Sequence, residues 1–112
     1  GSAEEAVYPA LCARYPTLKV TLSGEHWVDV SNPSAHKGSA LAFLQRRDGI
    51  SPVACMAFGD YLNDCEMMEA CGQSYGMKNG HPELLARCRF VTGKTNDEDG
   101  VCDTLRQVFG LA

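Results

Sequence analysis

The chain has 112 residues, enough for one small domain, and its 14 acidic against 10 basic residues leave a net charge of -4 with histidine neutral. That mild acidity excludes a nucleic-acid groove, which requires a basic face. A hydrophobic fraction of 45% excludes a disordered chain, and no apolar run reaches the ~18 residues of a membrane helix.

No basic-then-apolar leader opens the chain, so the expectation is a cytoplasmic protein. Gly1-Ser2 reads as a tag remnant. Ala3–Ala13 has a helical apolar stripe (Ala6, Val7, Ala10, Leu11), interrupted by Pro9. Leu18–Leu22 and His26–Val30 alternate and are rich in β-formers, so they read as two strands of a hairpin, with Ser23-Gly24 as the turn. Ser31-Asn32-Pro33-Ser34 is a break. Lys37–Arg47 reads as a helix with Leu41 and Leu44 facing inward and Gly49 ending it. Val53–Phe58 is a near-continuous apolar run, the habit of a strand buried on both faces of a parallel sheet. A helix to about Cys71 follows, then a strand over Gln73–Met77, a helix over Pro82–Arg87, a strand over Arg89–Val91, a polar loop over Thr95–Gly100 and a helix over Val101–Phe109. From Lys37 onward helices and strands alternate, which predicts a parallel sheet with crossover helices. The first thirty-odd residues break that alternation and belong to a different unit.

In open α/β sheets, ligands bind at the carboxyl ends of the strands. Asp60 stands just past the most apolar strand, after Gly59, and Asn63 and Asp64 open the next helix, where free N–H groups favour anions. Gly-Asp-x-x-Asn-Asp therefore gathers two carboxylates and an amide at one strand end. Such hard oxygen ligands suit Mg2+, which takes one or two carboxylates and fills its shell with phosphate and water. The plainer reading is that Asp60 and Asn63 cap the helix. Lys37 heads a helix beside Gly38 and could neutralise a phosphate, although a lone lysine is usually a solvated charge. The three histidines lack metal-ligand spacing. Cysteines at 12, 55, 65, 71, 88 and 102 contain no Cys-x-x-Cys and read as reduced, mostly core, thiols. No P-loop, Gly-x-Ser-x-Gly elbow or Gly-x-Gly-x-x-Gly fingerprint occurs.

Four segments, in this order, carry a resemblance: His36-Lys37-Gly38-Ser39-Ala40-Leu41, Gly59-Asp60-Tyr61-Leu62-Asn63-Asp64, Gly76-Met77-Lys78-Asn79-Gly80 and Asn96-Asp97-Glu98-Asp99-Gly100-Val101. They resemble the carboxyl-terminal portion of Cof-type phosphatases of the haloacid dehalogenase-like superfamily, subfamily IIB. The match is close over roughly residues 32–110 and loose over 3–31. It implies a partial Rossmann-like core over 32–112, preceded over 3–31 by the tail of an α/β cap domain. It also implies Mg2+-dependent hydrolysis of small phosphorylated metabolites, commonly sugar phosphates. By this resemblance Lys37 is the phosphate-neutralising lysine and Asp60 a metal ligand. Asn63 contacts phosphate or metal-bound water, and Asp64 orients the lysine and the metal shell. Positioning and charge neutralisation are what phosphoryl transfer mainly requires.

One departure matters. The family's nucleophile lies in an Asp-x-Asp-x-Thr motif, and no such motif occurs in the 112 residues; Asp29-Val30-Ser31 is the nearest string. The expectation is a half-site, with the metal and cation groups but no nucleophile, inactive alone. The family's nucleophile strand lies beside the strand expected at Val53–Phe58, so its absence leaves an apolar sheet edge through which the chain self-associates. Two other readings stay open. One is a non-catalytic module that binds magnesium, phosphate or a protein. The other is a metal-free α/β domain in which the motif merely caps a helix.

Overall fold

The computed structural model describes residues 2–111; Gly1, half of the expected tag remnant, and Ala112 lie outside them. Ser2 takes part in the fold, since its side-chain oxygen accepts the Glu5 amide at 3.3 Å and caps the first helix. The single helix expected over residues 3–13 is two helices, α1 (Ala3–Ala6) and α2 (Tyr8–Arg14). The break at Val7 follows from Pro9, which cannot donate to a continuing ladder but fits the first turn of a new helix.

Strands β1 (Lys19–Gly24) and β2 (Trp27–Ser31) form the expected antiparallel hairpin. The turn lies later than expected, at Glu25-His26, because pairing continues through an irregularity to Gly24 opposite Trp27. After the break, α3 spans Lys37–Asp48. The His36 ring caps it by accepting the Ser39 amide at 3.1 Å, while Ser39 Oγ accepts the His36 amide at 3.3 Å. Gly49, at φ 66°, closes it in the left-handed conformation.

The inward stripe of α3 corrects one expectation. Leu41 is half-buried, but Leu44 is 43% exposed. The buried face is instead Gly38, Leu41, Ala42 and Gln45, the spacing of one helical side. Gln45 fits there because its amide donates to the Ala70 carbonyl at 2.9 Å. Leu44 falls with Ala40 and Phe43 on the outer side.

The remaining elements are β3 (Met56–Gly59), α4 (Cys65–Ala70), β4 (Gln73–Gly76), α5 (Pro82–Arg87), β5 (Phe90–Val91) and α6 (Gly100–Phe109). They form the predicted α/β layer: β3, β4 and β5 are parallel, in that order, joined by crossover helices. The strand expected at Val53–Phe58 is shorter. Pro52 opens a tight 3-10 turn through Ala54, its carbonyl accepting the Cys55 and Gly72 amides at 3.0 and 2.8 Å. Nor is the strand buried on both faces, since Met56, Ala57 and Phe58 are only partly covered.

The reason is its place in the sheet. β3 is an edge, paired with β4 alone. Ala57 packs on the core of Cys65, Met68 and Leu84 under α4 and α5. Phe58, Tyr75 and Phe90, in matched register on the other face, stack in a row at 5.3 and 4.9 Å. The chain is a thin slab, 49 × 34 × 18 Å, with a radius of gyration of 15.4 Å; a compact chain of this length would have roughly 13 Å. Phe43, Val53, Phe109 and Leu111 are all more than half exposed. Among the described residues no helix is long and apolar enough to cross a membrane.

Candidate active site

A cavity of about 470 Å³ opens at the carboxyl end of β3. One wall is Lys37, Asp60 and Asp64, and the other is Asn96, Asp99 and Gly100 on the approach to α6. Three of the four residues singled out in the sequence therefore meet here. Asn63 does not line this cavity. It faces an adjoining cleft, of which Lys37 forms a shared wall.

Asp64 is the hub. Its side chain is 7% exposed, and one oxygen pairs with the Lys37 ammonium. The other oxygen accepts the Asp60 amide at 3.1 Å. Gly59 makes this approach possible, because a Cβ there would stand 2.8 Å from Asp64 Cβ. The Asp60 turn is also tied outward: the Asp60 carbonyl accepts the His81 amide at 2.9 Å, and the Gly59 carbonyl accepts the Met77 amide at 2.8 Å. With its backbone held on both sides, Asp60 presents its carboxylate to solvent, with no side-chain partner among the described residues. The capping alternative is not supported, since the turn at Leu62–Asp64 and helix α4 have no side-chain cap bond.

The donor set suits a hard divalent ion. It offers one unengaged carboxylate, Asp60, and a second, Asp64, whose oxygens already have partners. No group of three or more His, Cys, Asp or Glu with metal-binding geometry occurs among the described residues. One free carboxylate beside a second fits magnesium, which keeps much of its shell for water and phosphate.

Several residues of the site carried no role in the sequence reading. Asn79 and Asn96 join the loops after β4 and β5: Asn79 Nδ2 donates to Asn96 Oδ1 at 2.7 Å, and the Asn96 amide donates to Asn79 Oδ1 at 3.2 Å. Asp99, at φ 58°, is the one non-glycine with positive φ among the described residues, and it faces the cavity. Asp97-Glu98-Asp99 also spells Asp-x-Asp and comes nearer the missing motif than Asp29-Val30-Ser31, but it runs from a 3-10 turn into the cap of α6 rather than standing at a strand end. The Thr95 amide donates to Glu98 at 3.1 Å, and this bond lowers the Glu98 pKa. Burial raises the pKa of Cys65, Cys71 and Cys88, while Cys102 is exposed on the cavity wall. His36 and His81 serve as helix caps, with Nδ1 of each accepting a backbone amide.

Residues 3–105 match the family model for haloacid dehalogenase-like hydrolases. The 5-amino-6-(5-phospho-D-ribitylamino)uracil phosphatase YwtE of Bacillus subtilis is 38% identical over 91 residues, covering 81% of this chain and 32% of that protein. The crystal structure of SMU.1108c from Streptococcus mutans superposes with a TM-score of 0.85 at 31% identity, covering 96% of this chain and 41% of that one. The sugar phosphatase BT4131, of subclass IIB, shares the fold with a TM-score of 0.81 at 24% identity, covering 99% of this chain and 41% of that one. The chain thus spans 32% to 41% of the length of these proteins.

Proposed function

Because the chain belongs to the haloacid dehalogenase-like hydrolases, we propose that it is of the Cof type, subclass IIB, and supplies the cation and metal half of a phosphate-ester hydrolase site. Its substrates are small phosphorylated metabolites, as YwtE's name indicates for that relative. Residues 3–31 serve as the tail of a cap and residues 32–112 as the carboxyl-terminal half of the catalytic core. The observation that carries the reading is the linked Lys37–Asp64–Asp60 set at the strand end.

Lys37 neutralises a phosphate oxygen. Asp64 holds the lysine in place and fixes the turn from which Asp60 projects. Asp60 and Asp64 would hold Mg2+, and Asn63 would bond phosphate or a water on the ion from the neighbouring cleft. The ion, when bound, polarises the phosphoryl group and offsets its charge. A nucleophilic carboxylate and a general acid/base are also required. No Asp-x-Asp-x-Thr occurs in these 112 residues, so the chain is inactive alone.

The test is hydrolysis of p-nitrophenyl phosphate with Mg2+ by the chain, by Asp60→Asn, and by each mixed with the Asp-x-Asp-x-Thr-bearing half of a relative. The expected result is no turnover alone and turnover on mixing, which Asp60→Asn loses. Turnover by the isolated chain that Asp60→Asn abolishes would place a nucleophile within it and overturn the half-site. Turnover on mixing that survives in Asp60→Asn would remove Asp60 from the metal site.

The same reading bears on association. β3 offers unpaired backbone groups on one side, and such an edge pairs with another chain unless covered. The isolated chain self-associates through Met56–Gly59, the strand that replaces the expected Val53–Phe58.

A further inference from the structure

Of Asn32, Asn63, Asn79 and Asn96, only Asn79 precedes a glycine. Asparagine is among the chemically labile residues, and most so before glycine, which has no side chain to shield its backbone nitrogen from the neighbouring amide. The fold requires this glycine. A Cβ on Gly80 would stand 2.9 Å from the Met77 carbonyl oxygen and 3.1 Å from that of Asp60. The close approach of this loop to the Asp60 turn thus imposes a labile pair beside the candidate site, with Asn79 exposed to water.

The reaction open to such a pair is deamidation. The Gly80 backbone nitrogen loses its proton to water and attacks Asn79 Cγ. The bond from Cγ to Nδ2 breaks, ammonia leaves and a five-membered imide closes. Water then opens the ring at either carbonyl, giving aspartate or isoaspartate. One water is consumed and one ammonia released, with no change of oxidation state. In the fold both reacting groups are engaged. The Gly80 amide donates to the Met77 carbonyl at 2.7 Å. Asn79 Nδ2 donates to Asn96 Oδ1 at 2.7 Å, and Asn79 Oδ1 accepts the Asn96 amide at 3.2 Å. Ring closure has to break this set, so Asn96 guards the asparagine it binds.

The product changes the wall of the cavity that Asn96 lines. A carboxylate at residue 79 has no N–H for Asn96 Oδ1 and sets two oxygens against each other. Isoaspartate also adds one carbon to the main chain between Met77 and His81. Their amides hold the Gly59 and Asp60 carbonyls at 2.8 and 2.9 Å, so the lengthened segment strains the two bonds that fix the Asp60 turn from the β4 side.

We propose that Asn79 is a spontaneous deamidation site, protected by the Asn96 clasp, whose product loosens the Asp60 turn. The proposal stands whether or not the cavity binds phosphate.

Peptide mapping by mass spectrometry tests it, on the full chain incubated at mildly alkaline pH both folded and in urea. Asn79 is expected to be the first asparagine converted, more slowly in the folded chain than in urea. Asn96→Ala should speed the folded reaction about two- to tenfold, the range of one net hydrogen bond. Asn96→Asp keeps an acceptor for Asn79 Nδ2 and should stay near the parent rate. In 15N-labelled protein the converted fraction should show displaced amide signals for Asp60, Met77 and His81. Equal rates folded and in urea, earlier conversion of another asparagine, or an Asn96→Ala rate no higher than the parent's would overturn the protected site. Conversion that leaves the Asp60, Met77 and His81 signals in place would overturn the loosening of the turn.

Discussion

Replacing Gly38 with alanine sets two effects of opposite sign against each other. Gly38 lies in the first turn of α3, and alanine in place of glycine within a helix gains up to ~1 kcal/mol. Yet a Cβ at this position would stand 2.6 Å from both Glu66 Cβ and the Glu66 carbonyl oxygen, and 2.7 Å from its carbonyl carbon. Two of those atoms are backbone, so no rotamer change relieves the contact, and α3 must move off α4. Overpacking of this kind costs about 1–3 kcal/mol, with the upper end expected where backbone is struck. The net expectation is a loss of about 2 kcal/mol, with the melting temperature lower by roughly 10 °C. Urea and thermal unfolding followed by circular dichroism measure both. Gly93→Ala is the control: nothing stands within 4 Å of a Cβ there, so the variant should be within ~1 kcal/mol of the parent. A Gly38→Ala protein as stable as the parent would refute the close packing of α3 on α4, and with it the placement of Lys37 beside Asp64.

Asp64→Asn should destabilise by about 1–3 kcal/mol in urea, below the ~3–5 of a fully buried pair because Lys37 is half exposed; an unchanged midpoint would argue against the hub. Glu98 has its folded pKa lowered by bonding to Thr95, so its contribution is present above the unfolded carboxylate pKa and is lost as pH falls through the lower folded value. Amide protection factors at the start of α6 should therefore fall in that acid window, and Glu98→Gln should remove the step. Iodoacetamide near neutral pH should label Cys102 well before Cys65, Cys71 or Cys88, whose thiols are held up by burial; mass mapping reads the order. Sedimentation velocity should show concentration-dependent association that a Phe58→Lys substitution beside the β3 edge reduces; a stable monomer at high concentration would count against the edge.

The helix–strand order from Lys37 onward was legible because each crossover helix is bounded by its own punctuation, such as Gly49 after α3 and Pro82 at the start of α5. The strand at 53–58 was misjudged because Val53 and Ala54 are as apolar as the strand proper; only the Pro52 turn separates them. Leu44 was misplaced because α3 is apolar on two sides, so hydrophobicity alone does not say which side meets α4, and the polar Gln45 takes the inner position. In the site, Lys37 could be named from the resemblance, and Asp60 and Asp64 also from their place past a strand end. The Asn79–Asn96 bond could not, because the meeting of loops seventeen residues apart is set by tertiary packing.

A carboxylate is a rigid plane, and both edges of Asp64 are in use: one grips the Lys37 ammonium and the other the Asp60 amide. Turning that plane to follow the lysine drags the amide, and releasing the amide swings the lysine. The positions of a cation and of an anion on one wall of the cavity are therefore coupled through a single carboxylate. A substitution at Asp64 therefore loosens the cation and the turn that carries Asp60 together, although neither is itself altered.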